Sequence, residues 1–132
     1  MVNAKAMDEG NGPCLATVIP VYNEAEHIEA CLTSLLQQTL HPSKHMIMVV
    51  DGHSTDKTVE LVENIIQRHQ GSEWPRLQLL SNPERSVAHA RNLALKNLPA
   101  SVEFLIEMIG HATVDSKHLE QRMDAWDSCS EA

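Results

Sequence analysis

The sequence predicts an α/β domain with a mainly parallel sheet between two layers of helices, and three observations carry that expectation. Met46 to Val50 is an uninterrupted apolar run that ends on Asp51. A short, continuous run of this kind is a strand buried on both faces, the usual state in a parallel sheet. Other short apolar segments alternate with stretches whose apolar residues recur at i, i+3, i+4 and i+7, the spacing of one helix face. The resulting order, βαβαβαβα, requires parallel strands joined by right-handed crossovers. No repeat or linker interrupts the pattern. At 132 residues the chain is one domain, able to bury roughly two thirds of its unfolded surface.

Met1 to Gly12 is polar and lacks the apolar core of a signal peptide, so residues 1–12 read as a flexible leader. Order is expected from Pro13, giving a domain over 13–132. Leu15 to Ile19 is the first strand, closed by Pro20. Asn23 is the expected N-cap of the first helix, with Glu24 and Glu26 at the positive end of its dipole. Ile28, Cys31, Leu32, Leu35 and Leu36 form its apolar stripe. His41-Pro42-Ser43 breaks the chain before the central strand. Ser54, Thr55 and Asp56 are cap candidates for a second helix carrying Val59, Val62, Ile65 and Ile66, which stops near Gln70-Gly71.

Trp74-Pro75 lies in the next loop, and Leu77 to Leu80 is a short third strand. Ser81-Asn82-Pro83 is a turn cluster. Ser86 caps a third helix with Val87, Ala90, Ala94, Leu95 and Leu98 facing the core, and Pro99 follows it. Val102 to Ile109 is a fourth strand ending at Gly110-His111. Leu119, Met123 and Trp126 mark a last helix.

Composition narrows the function. Hydrophobic residues make up 42% and aromatics 3%, so the core is aliphatic, with six Met as adaptable filler. A net charge of -8 argues against nucleic acid as a partner, which needs clustered Lys and Arg. Cys14, Cys31 and Cys129 are odd in number and lack C-x-x-C spacing. A disulfide framework or zinc site is therefore not expected, whereas reduced thiols and a cytoplasmic location are. No apolar run approaches the ~18 residues of a membrane span.

The turn after the first strand holds neither G-x-G-x-x-G nor G-x-x-x-x-G-K, and no G-x-S-x-G elbow is present. The candidates are the strand ends: Tyr22 and Asn23, Asp51, Arg85 with Arg91, and His111. In open α/β sheets the crevice beyond the carboxyl ends of the strands binds ligands. Asp51 reads either as a ligand-binding carboxylate or as a solvated turn acid. Tyr22 is equally a core residue with a wet hydroxyl, and for Arg91 the alternative is half of a surface salt bridge.

Pro20-Val-Tyr-Asn-Glu24, Val49-Val-Asp-Gly-His-Ser-Thr-Asp-Lys-Thr58 and Arg85-Ser-Val-Ala-His-Ala-Arg-Asn92, in that order, resemble the signatures of family 2 glycosyltransferases of the GT-A fold. Exopolysaccharide-making members are the nearest in motif. The resemblance spans about Ala16 to Glu120. It implies strand order 3-2-1-4, with the turns after Ile19, Val50 and Ile109 meeting on one rim. It also implies a nucleotide-diphosphate-sugar donor, commonly a UDP-sugar, and inversion at the anomeric carbon. Pro20 to Tyr22 would flank the base and Asn23 and Glu24 would belong to the same site. Asp51 would contact base or ribose, and Arg85 and Arg91 would lie near the nucleotide.

The family holds Mn²⁺ or Mg²⁺ with an Asp-x-Asp at the end of the fourth strand. Ile109-Gly110-His111 stands there instead. His111 alone is a candidate ligand, for a softer metal. Members also continue for another ~100 residues, in keeping with domains of ~200 residues; that part carries the acceptor site and the general base. The expectation is thus a donor-binding half that is incomplete as an enzyme by itself. The alternatives are a non-catalytic nucleotide or nucleotide-sugar binding module and a self-assembling one. A homo-oligomer is expected, with the fourth strand and the last helix as its exposed apolar side.

Overall fold

Two seven-residue strands, β1 (Leu15–Val21) and β2 (His45–Asp51), form the centre of the sheet in the computed structural model, which describes residues 12–131, with side chains to residue 126. β3 (Arg76–Ser81) lies outside β2 and β4 (Phe104–Glu107) outside β1, so the order is β3-β2-β1-β4 with every pair parallel. This is the predicted topology. The predicted leader, apart from Gly12, lies outside the described residues.

Every residue of β2 is buried, as its unbroken apolar run requires. Alternate residues serve opposite faces. Leu15, Ile19, Val21, Ile47 and Val49 pack under α1 (Ile28–Leu36), α2 (Thr58–Arg68) and α4 (His118–Glu131). Ala16, Val18, Met46, Met48 and Val50 pack under α3 (Val87–Lys96). The five stripe residues predicted for α1 are all buried. A 3-10 turn at Pro42–Lys44 precedes β2.

Several expectations are corrected. Asn23 does not cap α1: the helix begins at Ile28 with His27 before it, and the amide oxygen of Asn23 is used elsewhere. Ser86 does cap α3, its hydroxyl accepting from the His89 N–H at 3.0 Å. Val87 and Leu95, expected in the core, are about half exposed. Ala90 and Ala94 are the buried residues of α3, and Leu95 lies about 140° around the helix from Ala90. Small residues at the contact let the helix lie close to the sheet, which leaves the longer flanking ones outside.

β4 is shorter than Val102 to Ile109. The Val102 N–H is engaged by the Pro99 carbonyl in the turn after α3, and past Glu107 only the Met108 N–H still bonds to β1, at Val18. A Cβ at Gly110 would meet Val21 Cγ1 at 2.8 Å, so a glycine is what fits beside the end of β1, and Ile109 is 59% exposed. Trp126, on the side of the last helix expected to be exposed, is 55% exposed, its ring edge to face with Phe104.

Candidate functional site

Val21, Asp51 and Ser81 are level in register at the C-terminal ends of three adjacent strands. The turns that follow therefore start side by side. Each holds one non-glycine residue in the left-handed region: Asn23 (φ 52), His53 (φ 62) and Arg85 (φ 64). Such conformations cost energy and persist only where the surroundings enforce them, most often at functional sites.

The enforcement here is a web of hydrogen bonds between the first two turns. The Asn23 N–H donates to Ser54 Oγ at 2.8 Å, the Glu24 N–H to Thr58 Oγ1 at 2.9 Å, and the Ala25 N–H to Asp56 Oδ2 at 3.2 Å. In return Asn23 Oδ1 accepts from the N–H groups of Thr55 and Asp56 at 2.8 and 3.3 Å. Ser54, Thr55 and Asp56, read from sequence as helix caps, mainly hold the neighbouring loop. Asp56 also accepts from the Thr58 N–H at 3.0 Å, so it does support the start of α2. The Thr58 hydroxyl bond is the main reason the Asp56 carboxyl sits below the usual range.

Asp51 closes β2 and is only 5% exposed. Its Oδ1 accepts from the Ser54 hydroxyl at 2.6 Å and its Oδ2 from the Ser54 N–H at 3.1 Å. A carboxylate has roughly four acceptor sites, so each oxygen keeps capacity toward a ligand. Behind it, the Asn82 N–H donates to the Asp51 carbonyl at 2.7 Å and fixes the turn after β3.

That turn delivers Arg85. Its guanidinium lies over the Tyr22 ring, 4.0 Å from the centroid, and its Nε donates to the Gly52 carbonyl at 3.1 Å. Gly52 has to lack a side chain, because a Cβ there would meet Arg85 Cγ at 2.8 Å. Pro20, Tyr22, Asn23, Asp51 and Arg85 are thus brought to one rim, with Tyr22 38% exposed.

Arg91 is placed differently. It pairs with Glu107, through Nε to Oε1 and through Nη2 to Oε2 at 3.0 Å, and makes its polar contacts there rather than with Tyr22, Asp51 or Arg85. This fork holds the Glu107 carboxyl below its ordinary range, chiefly through the hydrogen bond. Nothing in the spacing of residues 91 and 107 points to this pair, because they lie on different elements.

At the position of the expected metal motif, Ile109 is apolar and Gly110 has no side chain. His111 Nδ1 is 3.3 Å from Glu24 Oε1, and the His27 ring stands 6.3 Å from that of His111. No group of three or more His, Cys, Asp or Glu able to hold a metal occurs among the described residues. One carboxylate beside one imidazole does not supply the oxygen-rich set that Mn²⁺ or Mg²⁺ takes, so the residues present do not fit that ion. Nearby Cys31 is buried, which with Glu24 pushes its thiol up to about 11 and away from thiolate chemistry.

Comparison with known proteins places this geometry. A sequence profile described as Glycosyl transferase family 2 matches residues 17–129. Succinoglycan biosynthesis protein ExoA of Rhizobium meliloti (strain 1021) is 36% identical over 117 residues, covering 89% of this chain and 34% of the relative. Glycosyltransferase AglE of Haloferax volcanii is 34% identical over 91 residues, 68% of this chain and 28% of the relative. Among solved structures, S. aureus TarS 1-349 in complex with UDP-GlcNAc superposes with TM-score 0.74 at 25% identity, over 87% of this chain and 31% of that one. The complex of the same protein with UDP gives 0.71 at 24% identity, again over 87% of this chain, and 32% of that one. The chain spans about a third of the length of these proteins.

Proposed function

Because this chain belongs to glycosyl transferase family 2, we propose that its rim binds the nucleoside-diphosphate part of a sugar donor, a UDP-sugar in the first instance. The observation that carries this reading is the convergence of Tyr22, Asp51 and Arg85 at the level ends of three parallel strands. The UDP and UDP-GlcNAc complexes of TarS, which share the fold, support it. Arg85 covers one face of Tyr22 and the base stacks on the other. Asp51 accepts N–H or O–H groups of base or ribose through its remaining lone pairs. Any sugar transfer would have an acceptor oxygen attack the anomeric carbon as its bond to the diphosphate oxygen breaks, with a base within ~3 Å taking the acceptor proton.

A second reading follows from the state of the rim carboxylates: on its own this chain binds donor without transferring sugar. Asp51 is engaged by Ser54, Asp56 by Thr58 and Ala25, Glu107 by Arg91, and Glu24 is beside His111. Each of these four already serves a neighbouring residue, which favours holding the loops and the ligand over taking a proton from an acceptor. The diphosphate also lacks cation ligands, and each missing charge-assisted bond weakens binding by about 1.5–3 kcal/mol.

Calorimetry with UDP is therefore expected to give a Kd no tighter than about 100 μM (at least ~−5.5 kcal/mol), unchanged by Mn²⁺. UDP release from UDP-GlcNAc is expected to stay at the blank. No heat at millimolar UDP removes the nucleotide site. Release above the blank removes the non-catalytic reading, and Mn²⁺-dependent affinity shows a cation ligand set at the rim.

The same reading extends to self-association. β4 is an edge strand, and beside it a cleft of about 290 Å³ is lined by Phe104, Leu105, Met123 and Trp126. Exposed apolar surface next to an unpaired strand edge favours pairing with a second copy about a two-fold axis. Light scattering is expected to report a dimer that Trp126→Glu dissociates; a wild-type monomer at high concentration overturns this.

A further inference from the structure

At the end of the sheet opposite the rim, the C-termini of α2 and α3 and the loop into β3 enclose a cleft of about 360 Å³. That is within the size range of small-molecule sites, roughly 300–1,000 Å³. Its aromatic element is Trp74, half-buried and edge to face with His69, their centroids 4.5 Å apart and their planes at 84°.

Around it lies unspent hydrogen-bonding capacity of both kinds. His69 Nδ1 is 2.7 Å from the Ile65 carbonyl, which can only accept, so Nδ1 carries the proton and Nε2 is left as an acceptor. Gln70 and Asn97 spend amide N–H groups on the carbonyls of Ile66 and Leu93, each at 2.8 Å, and keep their amide oxygens. The Trp74 indole N–H, the Arg76 guanidinium and the Gln78 amide form no hydrogen bond among the described residues.

No carboxylate lines the cleft, so it is not built for a cation, and one exposed guanidinium does not make a site for a multiply charged anion. An indole with planar amides, an imidazole acceptor and several free donors matches a ligand that has an apolar C–H face and a ring of hydroxyls. We propose that this cleft is a saccharide subsite that takes one or two pyranose rings. It is separate from the nucleotide rim and does not depend on the reading given to that rim.

The test is amide and indole NMR of the intact chain during titration with cellobiose and with chitobiose. The titration runs to about 50 mM, well above the millimolar Kd that a small open cleft supports. Saturable shifts confined to Gln70, Gly71, Trp74, Arg76, Gln78 and Asn97, with at least one of the two sugars, are expected. Trp74→Ala is expected to abolish them. Because Trp74 also packs against the core, Gln78→Ala on the sheet edge serves as a second variant and is expected to weaken binding several-fold with the fold intact. Absence of saturable shifts with both sugars overturns the proposal, as does unchanged affinity in Gln78→Ala and Trp74→Ala. UDP moving the same amides assigns the cleft to nucleotide and also overturns it. Failure of UDP to shift residues of the rim bears only on the nucleotide reading.

Discussion

Acidification from pH 7 to about pH 4 is expected to lower the stability of this fold by about 3 kcal/mol through a single residue, His45. His45 opens β2 and is 2% exposed. Its Nε2 meets the Thr17 hydroxyl at 2.8 Å, while its buried Nδ1 has no partner. Burial lowers its pKa from 6.5 to about 4, because an imidazolium there would leave water without gaining a counter-charge. Above pH 6.5 both folded and unfolded chains hold the residue neutral and the full stability is present. As pH falls below 6.5 the unfolded chain takes up a proton that the folded chain refuses. Stability therefore declines until pH reaches about 4, where the folded form protonates too. Out of a typical total of about 5–15 kcal/mol, that loss is large. Urea unfolding across this pH range is expected to show the decline in wild type and a flatter profile in His45→Gln, which keeps a hydrogen-bonding amide near Thr17 and does not titrate. Parallel profiles would exclude His45 as the cause.

Asp51→Ala is expected to weaken UDP binding at least tenfold and to destabilise the domain by about 1–3 kcal/mol. Two effects combine. The ligand loses a carboxylate, and the Ser54 N–H and hydroxyl lose their acceptor. Ser54 in turn anchors the Asn23 N–H, so the left-handed turn after β1 loosens as well. Ser54→Ala separates the two, since it removes the anchor and leaves the carboxylate. It is expected to cost stability with a smaller loss of affinity. Wild-type affinity in Asp51→Ala would remove Asp51 from the site, and equal losses in both variants would make its role purely one of holding the loop.

Much of this molecule was legible in the linear chain. The continuous apolar run before Asp51, the stripe from Ile28 to Leu36 and the cap at Ser86 each follow from local periodicity or from one side chain beside its own backbone. They predict strands, helices and a parallel sheet because burial on one or two faces leaves a period in the sequence. The three motifs likewise placed Tyr22, Asp51 and Arg85 among the candidates before any contact between them was known.

Packing, by contrast, sets how residues far apart in sequence spend their hydrogen bonds and charge. Asn23, read as a cap for its own helix, instead holds Thr55 and Asp56. Arg91 is tied to Glu107, and His111 faces Glu24. The fourth strand ends at Glu107, and α3 turns Ala90 and Ala94 to the sheet while Leu95 stays half exposed. Periodicity records which face of an element leaves water. A polar side chain's partner is set by which neighbouring element brings an unsatisfied donor or acceptor within about 3 Å, and that depends on packing.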